Sequence, residues 1–168
     1  MKYHNITYDD MKNGDGLRVV LWVAGCDHHC KGCQNPVTWN PDDGLVFGAK
    51  EKEEIFLALE QKHISGITFS GGDPLHQQNR YTVFMLMKEI KEKFPDKTVW
   101  VYTGYTWEEV ISNKYLNSML PLIDVLVDGR YEEELRDLTY HWAGSTNQRV
   151  IDVQRSIKEG GVILHESD

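Results

Sequence analysis

The sequence has no apolar run approaching the ~20 residues needed to cross a bilayer; the longest clear one is Val19 to Gly25. Its opening, Met1-Lys2-Tyr3-His4-Asn5, lacks an apolar core segment and a small-residue cleavage site. No secretory leader and no membrane partner are therefore expected, and the default location is cytoplasmic. Positive charge is in short supply, 18 Lys and Arg against 26 Asp and Glu for a net of −8, a field that repels nucleic acid at distance. Internal repeats, low-complexity tracts and linker-like stretches are missing as well, so the 168 residues are read as a single domain spanning 1–168. Cysteine is the scarcest informative residue. There are three, Cys26, Cys30 and Cys33, and an odd count in a cytoplasmic chain excludes a closed disulfide framework and directs attention to metal or redox chemistry.

What is present alternates. Arg18 to Ala24 is β-branched and aromatic and reads as a buried strand; Lys50 to Lys62 has apolar residues at helical spacing; Gly66 to Ser70 is a second strand closed by Gly71-Gly72. Asn79 to Phe94 carries Val83, Phe84, Met87, Ile90 and Phe94 at helical offsets and stops at Pro95. Thr98 to Thr103 is a third strand, Trp107 to Met119 a broken helix, and Ile123 to Val127 a fourth strand, with Arg149 to Ile151 and Val162 to Leu164 as further candidates. Strands alternating with helices predict α/β architecture with parallel strands. A complete eight-fold barrel needs about 250 residues, so only part of one, or an open sheet, is expected. The loops at the carboxyl ends of the strands should then converge on one rim. These are the cysteine loop, Gly71-Gly72-Asp73, Thr103-Gly104 and Asp128-Gly129-Arg130.

The segment Cys26-Asp27-His28-His29-Cys30-Lys31-Gly32-Cys33 offers three thiolates in the spacing CxxxCxxC and no fourth. Clusters held wholly by protein usually take four cysteines, so three would leave one iron open to a small molecule. A structural zinc site with His28, His29 or His4 as fourth ligand is the alternative, although no second cysteine knuckle is present to complete the usual pattern. A non-catalytic, zinc-stabilised interaction module would follow from it. Taken alone, Gly71-Gly72-Asp73-Pro74 reads as an ordinary turn.

The cysteine spacing on the loop after the first strand of the alternating series resembles the radical S-adenosylmethionine (SAM) superfamily. Further motifs resemble the activating proteins of anaerobic (class III) ribonucleoside-triphosphate reductases. They include Asn13 to Arg18, Gly25-Cys26-x-His28-x-Cys30-x-Gly32-Cys33-x-Asn35, Thr38-Trp39, Ser70 to His76, Tyr102 to Tyr105, Val127 to Tyr131 and Gly144-Ser145-x-Asn147-Gln148-Arg149-Val150. The matches span roughly residues 3 to 153. Two departures stand out. Asp15 occupies a position where the family often has Pro, read here as a loop-tip change of little consequence, and residues 154–168 have no clear counterpart and no assigned role.

The resemblance implies an incomplete β/α barrel of the radical SAM type, with a [4Fe-4S] cluster held by Cys26, Cys30 and Cys33 and SAM chelating the open iron. It implies SAM contacts from Gly32, Cys33, Gln34, Gly71, Gly72, Asp73, Thr103, Asp128 and Arg130, with Arg149 a candidate partner for the SAM carboxylate. An ion pair at the surface is the plain alternative for Asp128 and Arg130. His28 and His29 read as loop or supporting groups, and Arg18 as structural. The implied reaction is reductive SAM cleavage that generates a glycyl radical on the anaerobic reductase, fed by a flavodoxin-type electron donor. An activator of another glycyl-radical enzyme, or a small-molecule radical SAM synthase, is the runner-up.

Overall fold

The computed structural model describes residues 1–167. Seven strands form one open sheet: β1 (Lys2–Asp10), β2 (Leu17–Val23), β3 (Leu45–Val46), β4 (Ile64–Gly71), β5 (Thr98–Tyr102), β6 (Val125–Asp128) and β7 (Arg149–Asp152), in the order β3-β1-β2-β4-β5-β6-β7. Five helices accompany them: α1 (Ala49–Leu59), α2 (Arg80–Lys93), α3 (Trp107–Ser112), α4 (Lys114–Met119) and α5 (Val153–Glu159). Among the described residues, no helix is long and apolar enough to cross a membrane.

The parallel expectation holds for β2, β4, β5 and β6, whose connections contain α-helices. It fails at both sides of the sheet, where β1 runs antiparallel to β2 and β3, and β7 antiparallel to β6. The reason is connectivity. Residues 11–16 and the stretch between β6 and β7 contain no α-helix to carry the chain across a face, so each neighbour returns in the opposite sense. The outermost strands are β3 and β7, and the expected strand Val162 to Leu164 is a single antiparallel bridge, Leu164 to Ile151, alongside β7.

Side chains alternate across this sheet with period 2. Val19, Leu21 and Val23 of β2, Ile67 and Phe69 of β4, Val99 and Val101 of β5, and Leu126 of β6 face the helices in the main apolar core. The opposite face carries Arg18, Trp22, Thr68, Ser70, Trp100 and Tyr102, and it is covered in part by Trp142, Ala143 and Val150, which pack on Trp100, Val125 and Val127. Helix α2 buries Val83, Leu86, Met87 and Ile90, so the expected stripe is shifted: Phe84 packs at the margin, edge-on to Tyr115. The broken helix of 107–119 is two helices divided at Asn113, whose Oδ1 accepts from Leu116 N at 3.0 Å and starts α4.

Arg18 is fully buried on the inner face. Its guanidinium donates to Thr68 Oγ1, Thr98 Oγ1 and the carbonyls of Asp15, Ile67 and Thr98 at 2.8–3.0 Å, and it lies 5.4 Å from the Trp100 ring centre. Every acceptor is neutral, and burial pulls the guanidinium down to about 10, with Asp15 and Asp124 opposing that shift through space. This residue ties β2, β4 and β5 together. Arg18→Met is expected to leave hydroxyls and carbonyls unpaired and to lower unfolding stability by about 2–4 kcal/mol, read as a lower urea midpoint. An unchanged midpoint would show that these bonds contribute little.

Candidate functional site

The cysteine loop leaves the carboxyl end of β2 and is fixed by backbone bonds before any side chain acts. Gly25 N donates to Thr38 O at 2.7 Å and Cys26 N to Trp39 O at 3.0 Å, so the loop folds back on the Pro36–Thr38 turn. His29 takes φ of +48° and stacks on Trp39 at 4.5 Å. Gly32 sits at φ +74°, where a Cβ would press on Glu133, and permits the turn that joins Cys33 N to Cys30 O at 3.1 Å. Asn35 N points at Cys33 Sγ from 3.4 Å, a contact of the kind that tunes a sulfur ligand.

The glycine pair serves this loop directly. Gly72 N donates to Val23 O at 2.8 Å and Asp73 N to Gly25 O at 2.7 Å. A Cβ on Gly72 would lie 2.5 Å from Gly25 O and 2.8 Å from Thr38 O, so this position packs backbone on backbone. Asn79 Nδ2 bridges the carbonyls of Ala24 and Asp73 at 2.8 and 3.0 Å.

Asp73 is the junction of the site. Its buried carboxylate meets His28 Nε2 at 2.7 Å and accepts from Thr103 Oγ1 at 2.9 Å, from Gly104 N at 3.0 Å and from Leu75 N at 2.8 Å. His28 lies edge-on to Tyr105 at 4.8 Å and directly over Gly104, where it would collide with any Cβ. The loops after β2, β4 and β5 thus share one carboxylate.

Cys26, Cys30 and Cys33 are free and half-exposed, and they line one cavity of about 150 Å³ together with Gly71, Gly72 and Thr103. A larger cavity of about 400 Å³ shares Cys30, Cys33, Gly71 and Tyr102 and adds Trp22 and Gln34. Burial raises the Cys26 thiol to about 11 and also raises that of Cys30. Thiolates at these positions therefore call for a bound cation. Among the described residues, no three His, Cys, Asp or Glu donors converge on one ion position, whereas a zinc ion needs its ligands within ~2.3 Å of one point. A cubane asks for something else, one thiolate per iron, and three sulfurs spread around one cavity fit that demand. His4 lies outside this cavity, and His28 has Nε2 engaged by Asp73.

The structure sorts the remaining candidates. Cys33, Gly71, Gly72, Asp73 and Thr103 line the smaller cavity and Gln34 the larger. Gly32 lines neither, being turned against Glu133. Asp128 and Arg130 border a separate cleft. Asp128 is buried and accepts from Arg149 Nε and Nη2 at 3.2 and 2.6 Å and from Trp107 N at 2.7 Å, while Arg130 faces Glu109 at 3.4 Å. Hydrogen bonds to Asp128, then Glu108, hold the Arg149 guanidinium above its usual range. As placed, Asp128 and Arg149 are engaged with each other, whereas Arg130 stays half-exposed beside Glu109. Trp22, Tyr102, Tyr131 and Gln148 are further wall residues; all but Trp22 lie in the motifs quoted above, and Gln148 braces its turn through Gly144 N and Gly129 O.

The family described as a 4Fe-4S single cluster domain matches residues 12–151. An anaerobic ribonucleoside-triphosphate reductase-activating protein of Enterobacteria phage T4 is 43% identical over 150 residues, covering 89% of this chain and 93% of the relative. The chain belongs to the anaerobic ribonucleoside-triphosphate reductase-activating protein family. Relatives of the same name in Pasteurella multocida and Escherichia coli K12 are each 40% identical, over 88% and 89% of this chain and 95% and 97% of their own lengths. For this member of the reductase-activating family, Gly72→Val is expected to displace Gly25 and the cysteine loop. Iron should then be lost to a chelator about tenfold faster or more, measured as the decay of visible absorbance under anaerobic conditions. Retention equal to the parent would show that the loop tolerates a Cβ at Gly72.

Proposed function

We propose that this chain is a radical SAM activase that generates a glycyl radical on an anaerobic ribonucleoside-triphosphate reductase. The observation that carries the reading is the arrangement of three cysteines, without a fourth, around a cavity floored by Gly71 and Gly72. The names of the relatives support the choice of target. When bound, the cluster and SAM supply a one-electron cleavage to methionine and a 5′-deoxyadenosyl radical, which takes hydrogen from a glycine Cα of the partner.

The chain's own residues hold and enclose. Cys26, Cys30 and Cys33 would hold the cluster, one thiolate to an iron, with no fourth cysteine to complete the set. Gly71, at φ +103° with Val23 backbone 2.5 Å from where a Cβ would stand, brings β4 close to β2 and leaves room above it. Thr103 and Asp73 act by holding the walls, since both side chains are bonded to each other. Trp22, Tyr102 and Tyr131 supply apolar surface that excludes water around a one-electron step. Gln34 and Cys33 are the remaining contacts assigned to SAM. In this reading the sheet is an incomplete β/α barrel of the radical SAM type forming a single domain over 1–168. A flavodoxin-type donor is the electron source, the setting is cytoplasmic, and nucleic acid is not a partner of a chain with net charge −8.

The test is anaerobic incubation with reductant, SAM and the reductase, followed by electron paramagnetic resonance. A glycyl radical on the reductase is expected, and deuterium from its labelled glycine should appear in 5′-deoxyadenosine. Cys30→Ala should lower SAM cleavage by at least ~10³-fold. Label arriving from a small metabolite, with the reductase inert, would sink the activase reading and keep radical SAM chemistry; near-normal cleavage by Cys30→Ala would remove the cluster assignment.

A further inference from the structure

Asp15 and the C-terminal segment, the two departures from the family pattern, touch each other. Residues 160–167 run back along β7: Asp152 N donates to Ile163 O at 2.9 Å, and His165 N to Val150 O at 2.8 Å. His165 Nε2 then lies 2.7 Å from Asp15 Oδ2, its ring edge-on to Trp100 at 5.2 Å. Asp15 is therefore a clasp residue, which corrects its reading as an inconsequential loop tip.

The third member of the clasp is Trp142. Its Nε1 donates to Asp15 Oδ1 at 3.1 Å and to Ser167 Oγ at 3.0 Å, and its ring stands edge-on to Trp100 at 5.8 Å. The residue has φ of +69°, a region that bulky side chains seldom adopt unless their surroundings impose it. Burial alone would raise the Asp15 carboxyl, but hydrogen bonds from His165, Ser167 and Trp142 outweigh it and hold the group below its usual range. On one side Trp142 borders the cavity beside Cys30 and Cys33, in company with Leu138, Tyr140 and Gly144 of the same loop. On the other it borders a cleft of about 1010 Å³ that Asp15, Trp100 and His165 also line. Trp142 is thus common to the walls of both spaces.

We propose that Trp142 is a positioning residue: gripped by Asp15 and Ser167, with His165 holding Asp15 in turn, it fixes loop 137–148 as the wall of the cavity beside Cys30 and Cys33 and sets the width of its opening. What passes that opening, SAM and a polypeptide segment of a partner, rests on the function proposed above; the fixing of the loop does not.

The test compares full-length Asp15→Ala, Asp15→Asn and Trp142→Phe with the parent by amide hydrogen exchange. Loop 137–148 reports well, because Thr146 N is bonded to Leu135 O at 2.9 Å and Gly144 N to Gln148 Oε1 at 3.0 Å. Asp15→Ala and Trp142→Phe should raise exchange in 137–148 about fivefold or more, with β2, β4 and β5 unchanged. Asp15→Asn, which keeps an oxygen acceptor for the indole, should restore most of the protection. In SAM cleavage without partner, KM should rise several-fold in Trp142→Phe with kcat nearly held, the pattern of lost uniform binding. Unaltered protection of 137–148 in Trp142→Phe overturns the proposal even if Asp15→Ala fails to fold, and so does an Asn variant as unprotected as the Ala variant. Failure of the parent to cleave SAM would count against the proposed function alone, since the exchange experiment needs neither SAM nor iron.

Discussion

The site depends on one buried carboxylate. Asp73 receives a side chain from the cysteine loop, a hydroxyl and an amide from the loop after β5, and an amide from its own turn. Each of these elements leaves a different strand of the parallel sheet, and all three meet at this carboxylate. A carboxylate suits the task because it is acceptor-only and can take several donors at once. Burial makes the arrangement exacting: a donor withdrawn leaves charge without compensation in a dry place. The geometry of the thiolates is consequently set by neighbours that are not themselves ligands.

A second constraint works at the other end of the strands. Arg18 bonds across β2, β4 and β5 from inside the sheet, and Trp100 lies beside it. The inner face is therefore polar and rigid at its amino end and open at its carboxyl end. With helices on the outer face only, some other material has to cover the inner one. Loop 137–148 and the segment after α5 do so over the β5–β7 half. The half formed by β1 and β2 lacks that cover, which is where the larger cavity reaches Lys12, Asn13 and Trp22.

Much of this was legible in the residues. The central strands, the helices with apolar periodicity and the convergence of their loops follow from alternation of strand and helix signals, and the cysteines mark their own chemistry by number and spacing. What escaped was of two kinds. Strand β1 has only Tyr3 buried, so its polar, mixed pattern gives no clean period 2, and β3 is two exposed residues long. The partners of the charged residues were hidden for a different reason. Sequence shows that Asp128, Arg130 and Arg149 lie near a strand end, but not that Asp128 and Arg149 satisfy one another while Arg130 turns to Glu109. Likewise Asp73 reads as a ligand-facing charge until its donors are seen. Pairings between residues distant in sequence are set by tertiary packing, and no local pattern announces them.

The glycine pair illustrates how one residue type can meet two demands. A ligand cavity needs backbone without side chains at its floor, and two crossing loops need backbone without side chains at their contact. Gly71 and Gly72 satisfy both, since they line the cavity while their missing Cβ atoms leave space for Val23 and Gly25. Cysteine loop and cavity floor are therefore the same piece of packing seen from opposite sides. A change there cannot alter the room for a ligand without also moving the thiolates. The rim formed by loop 137–148 is held from the opposite side, by the clasp on Trp142, while Asp73 holds the cysteine loop.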